Sequence, residues 1–61
     1  MIDVIKHELD EMAEEYRDTE PQFRDGIIVR AYGTIAMAAW KKRAEYRAYW
    51  ERIIGEISTT P

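Results

Sequence analysis

Between Ile27 and Trp40 the chain runs for fourteen residues with one charge, Arg30, and with hydroxyls only at Tyr32 and Thr34. A helix apolar on nearly every side must be covered on nearly every side. This segment therefore constrains the fold more than any other. A membrane is the first cover to weigh, and it fails on length. Fourteen helical residues reach about 21 Å, short of the ~20 residues that a bilayer core needs. Helices of the protein itself, or of a partner, are the better cover. The small residues Ala31, Gly33, Ala36, Ala38 and Ala39 would let such helices approach closely.

Upstream, Ile2, Ile5, Leu9, Met12 and Tyr16 recur at spacings of 3, 4, 3 and 4. That is one narrow apolar stripe on a helix. Asp3 stands where a carboxylate caps the helix and favours its dipole. The pattern predicts helix 1 over about residues 2–17. It has neither the basic opening nor the unbroken apolar stretch of a signal peptide. A turn over 18–21 follows, because Pro21 fits only a first helical turn and pushes Glu20 out of helical geometry. Thr19 and Gln22 have the spacing of a capping box. From there no proline appears before Pro61. The Ala-rich continuation favours one long helix 2 over about 22–57, with a frayed tail at 58–61. Two shorter helices broken at Gly33 are the alternative.

The expected fold is thus all-α: an αα-hairpin of a short acidic helix and a long one, in a single domain over 1–61. Helix 1 would reach about 24 Å, leaving residues 41–57 without cover. A chain of 61 residues is also marginal by size. With no cysteine to staple it, assembly into a dimeric helical bundle is the expected remedy. The expected oligomer interface comprises Ile28, Ile35, Ala39, Trp40, Tyr46, Tyr49, Trp50, Ile53, Ile54 and Ile57.

Chemistry is sparsely provided. The chain has one histidine, one serine (Ser58) and no cysteine, too little for nucleophile, base and orienting group. His7, Glu11 and Glu14 share a helix face, but one outside the apolar stripe, where solvation is expected. No enzyme activity, metal or cofactor is predicted. Arg30 is expected to pair with Asp25 or Glu20.

Charge is unevenly spread. Residues 1–20 carry eight acids and two bases, a balance of −6; residues 40–52 carry five bases and two acids, +3. Lys41, Lys42, Arg43 and Arg47, interleaved with Trp40, Tyr46, Tyr49 and Trp50, are candidate partner-binding residues. Pairing of these bases with the acidic helix 1, within the hairpin or across a dimer, is the plainer expectation. The functional expectation is a small non-enzymatic protein–protein interaction module, an inhibitor, adaptor or regulator, in the cytoplasm. Nucleic-acid binding by a helical dimer through residues 40–52 is the first alternative. It is weakened by an isoelectric point near 5.0. A purely structural homo-oligomer is the second.

Overall fold

A computed structural model describes residues 2–59 of the chain. Its helices are α1 (Val4–Asp18), α2 (Asp25–Ala36) and α3 (Trp40–Thr59), with a 3-10 turn at Pro21–Phe23 between the first two. Each α-helix packs against the other two. The continuous helix expected over 22–57 is therefore a correction: it is two helices. They part at Met37–Ala39 rather than at Gly33, which lies inside α2. Ser58 and Thr59 belong to α3 rather than to a frayed tail, whose last two positions, 60 and 61, lie outside the described residues.

The corner forms without a glycine or proline, and no described residue has positive φ. Met37 N–H bonds to the Thr34 carbonyl at 3.1 Å and Ala38 N–H to the Ile35 carbonyl at 3.0 Å, tightening the end of α2. The Arg43 Nε donates to the Ala38 carbonyl at 3.0 Å. Breaking a helix forfeits a few backbone bonds, each worth about 1 kcal/mol net. Folding back buries Trp50 to 1% exposure and partly covers Tyr49, Ile53, Ile54 and Ile57. Full burial of one large apolar side chain is worth about 1.5–3 kcal/mol. Burial outweighs local helix propensity.

The core has three lines of residues. Leu9, Ala13 and Tyr16 come from α1, Ile27, Ala31 and Ile35 from α2, Tyr46 and Trp50 from α3. Ala31, fully buried, keeps α2 close to its neighbours. Ile2, expected on the stripe of helix 1, is 76% exposed because it precedes the helix. Tyr16 and Trp50 meet edge to face, centroids 6.4 Å apart at 82°. Over the Tyr16 ring lies the Arg24 guanidinium, 4.5 Å from the centroid.

Two capping expectations divide. Asp3 is the N-cap of α1, accepting from Lys6 N–H at 3.2 Å. The Thr19–Gln22 capping box does not form: Thr19 ends α1, its hydroxyl donating to the Glu15 carbonyl, and Gln22 donates to Glu20. Arg24 takes over at this turn. Its Nε lies 2.9 Å from both the Tyr16 and Thr19 carbonyls, where a cation complements the negative helix end.

Candidate functional site

The buried line of α2 runs Ile27, Ala31, Ile35. At 100° per residue the opposite side carries Gly26, Val29, Gly33 and Ala36, all exposed and uncharged, with the acid Asp25 at its edge in the first turn. The corresponding side of α1 carries His7, Glu11, Glu14 and Asp18. Seven large apolar side chains are exposed among the described residues, and five of them lie on or beside α2: Phe23, Val29, Tyr32, Met37 and Trp40. Met37 and Trp40 stand out furthest of these, at 86% and 73% exposure.

Beside this face, α2 and α3 border a shallow, open groove of about 370 Å³. Ile35, Ala36 and Ala44 make its apolar lining, with Tyr32 and Trp40 as aromatic walls and Arg43 and Arg47 as cations. Two alanines keep it open. The Tyr32 hydroxyl donates to Glu51 at 3.2 Å. Its pKa is raised, first by burial and then by that carboxylate. Arg43 is held in place by the Ala38 carbonyl of the corner. Arg47 has no ion pair among the described residues.

A second concavity, of about 350 Å³, lies where Lys6 and Tyr49 meet Glu45, Ala48 and Arg52. Its charges are already engaged. Lys6 lies 3.8 Å from Glu45 and 5.3 Å from the Tyr49 ring centroid, and Arg52 covers the same ring at 5.6 Å.

The expected interface residues scatter. Ile35, Tyr46 and Trp50 are core residues of the single chain, buried by α1, α2 and α3 together. Ile28, Tyr49, Ile53, Ile54 and Ile57 are half-buried against that core. Only Ala39 and Trp40 of the set are exposed.

The pairing of the bases with helix 1 expected within the hairpin does not form. Lys42 pairs along α3 with Glu45 at 3.6 Å, and none of Lys41, Lys42, Arg43 or Arg47 pairs with α1 among the described residues. The contact between α1 and α3 runs with the opposite signs, Lys6 to Glu45. Arg30 pairs with Glu15 on α1 at 2.7 Å, not with Asp25 or Glu20, because α1 lies alongside α2. This pair lowers the Glu15 pKa and raises that of Arg30. His7 meets Glu11 at 3.0 Å on the exposed face. Among the described residues no group of three or more His, Asp or Glu side chains is placed to hold a metal ion, and no helix is long and apolar enough to cross a membrane.

Three tyrosine–carboxylate ties join the helices: Tyr46 to Asp3, Tyr49 to Asp10, and Tyr32 to Glu51. Sequence reasoning missed these, as it missed Arg24, Val29 and Met37. The spacing of Val29 and Met37 opposite Ile27, Ala31 and Ile35 was the available signal.

No protein-family model, curated protein or solved structure matches this chain.

Proposed function

We propose that the chain is a small non-enzymatic protein–protein interaction module that docks through the outer side of α2 and the adjoining groove, in a cytoplasmic setting. The observation that carries this reading is the exposure of Val29 and Tyr32 on α2, with Phe23 in the turn before it and Met37 and Trp40 at the corner after it, in a chain whose α1 surface is mostly charged. Exposed apolar patches rimmed by polar groups mark interaction sites. Trp, Tyr and Arg are also the residues that dominate interface energetics, and the groove has all three.

A second copy is no longer demanded by uncovered length, since α1 and α2 cover the apolar side of residues 46–57 within one chain. Self-association of chains that keep this fold, like any other docking, would use Val29 and Trp40 rather than Trp50 and Ile53. The test is site-specific photo-crosslinking in cells, with a benzophenone side chain at Val29 or Met37 and a control at Glu14 on α1. Adducts from α2 positions and not from Glu14 are expected. Equal labelling at all three positions would refute the docking role of α2.

A further inference from the structure

The groove between α2 and α3 has an apolar lining and a cationic rim, and those two properties together specify an occupant. We propose that it takes one face of an acidic amphipathic helix from a partner protein; this rests on the docking role of the α2 side argued above. Arg43 and Arg47 lie four residues apart on α3, so their attachment points repeat at about 6 Å along the helix. Two glutamates four residues apart on a partner helix repeat at the same distance. A helix lying along the groove therefore meets both guanidiniums in one register. An apolar side chain between its glutamates then faces Ile35, Ala36 and Ala44, flanked by Tyr32 and Trp40. This is the helix-in-groove mode of recognition.

The cations are ready for this task. Arg43 spends its Nε on the Ala38 carbonyl, which fixes the side chain and leaves its terminal nitrogens without a hydrogen bond among the described residues. Arg47 has a carboxylate one turn on, Glu51, which accepts from the Tyr32 hydroxyl and forms no ion pair with Arg47 among the described residues. The acids of α1 do not reach either arginine: Glu15 is held by Arg30, Asp10 by Tyr49 and Asp3 by Tyr46. The groove lining therefore carries two arginines and no acid, in a chain whose net charge is −3.

Nucleic acid fits the same surface less well. A phosphate backbone gains nothing from an alanine and isoleucine lining. Of the four basic residues at 41, 42, 43 and 47, only Arg43 and Arg47 line the groove. Lys42 is committed to Glu45.

Two kinds of peptide and an oligonucleotide test this. One synthetic helical peptide has leucines on one face flanked by glutamates four residues apart; its twin has lysine at each glutamate. The third probe is oligo-deoxythymidine. Trp40 is 73% exposed and Trp50 1%, so a blue shift of tryptophan emission on titration reports Trp40 entering an apolar contact. Exposed ion pairs are each worth roughly threefold in affinity, so the glutamate peptide should bind about tenfold more tightly than the lysine twin at low salt. Arg43→Gln and Arg47→Gln should each remove about threefold of that preference, with helical content unchanged. Equal binding of the two peptides, or no emission shift with the glutamate peptide at ~1 mM, would overturn the proposal. Tighter binding of the oligonucleotide than of the glutamate peptide would overturn it in favour of nucleic acid. If the peptides fail while the photo-crosslinks at Val29 and Met37 persist, α2 docks a partner of different chemistry and the broader reading stands.

Discussion

The Asp3 carboxylate is shared between the first turn of α1 and the Tyr46 hydroxyl of α3, forty-three residues away. It accepts from Lys6 N–H at 3.2 Å, and the hydroxyl lies 3.1 and 3.0 Å from its two oxygens. One acidic side chain thus couples a local helix start to the closure of the bundle. Asp3→Ala should lower the melting temperature more than Tyr46→Phe, because it removes the cap as well as the tie. The two changes combined should cost less than their sum. Circular dichroism melts of the four proteins check this, and strict additivity would show that the cap and the tie are independent.

Stability should fall at both ends of the pH scale for separate reasons. The Asp3 pKa is lowered, chiefly by the Lys6 backbone bond, and that of Glu15 chiefly by the Arg30 hydrogen bond. Their contribution is present above the ordinary carboxylate pKa of about 4 and is lost as pH falls through the lowered values. The hydroxyls of Tyr32, Tyr46 and Tyr49 have raised pKa values. Burial is the main cause for Tyr32 and Tyr46, and the Asp10 bond for Tyr49. Their contribution holds below the ordinary tyrosine pKa of about 10 and goes as pH rises through the raised ones. Tyrosinate absorbance and helical ellipticity should therefore change together above about pH 10.

The two tryptophans should behave as opposites. Trp50→Ala should cost about 3–5 kcal/mol. A chain of this size has only about 3–9 kcal/mol to lose, so most of the population should unfold. Trp40→Ala should stay within ~0.5 kcal/mol of the parent, as for exposed positions outside special contacts. Urea melts followed by circular dichroism separate the two. A large loss for Trp40→Ala would mean that it packs rather than displays its ring.

Gly33 and Gly55 sit inside helices, and a Cβ added at either meets nothing within 4 Å. Gly55→Ala and Gly33→Ala should each stabilise by about 0.5–1 kcal/mol, since glycine carries an entropic cost in a helix. Because Gly33 lies on the candidate docking side, its alanine variant should also weaken partner capture, while Gly55→Ala should not. Thermal melts and the yield of photo-crosslinks at Val29 read the two effects separately.

How far the fold can be read from the residues depends on whether the deciding contact is local. The stripe of helix 1, the Asp3 cap and the turn at Pro21 are set by spacings of three or four residues, and they are legible. The corner at Met37–Ala39 is not, because Ala36 to Ala39 favour helix locally and the contrary force is the burial of Trp50 more than ten residues on. That one corner reassigns Tyr46 and Trp50 from an expected interface to the core. It also explains how Arg43 and Arg47 face α2 instead of the acidic helix. Trp40 and the two arginines of the candidate site were visible as residue types; the groove that joins them arises only when α2 and α3 fold against each other.

The corner has one more consequence. A bend held by remote packing, with no glycine, proline or positive φ at its centre, contains no residue that bars helical geometry. Straightened, residues 25–59 form one rod whose α3 half can lie against the α1 and α2 of another molecule, making the same contacts between chains that it makes within one. Exchange of α3 between two molecules therefore needs no new interface. Concentration and slow refolding should favour the exchanged pair, and a proline at Ala39 should suppress it.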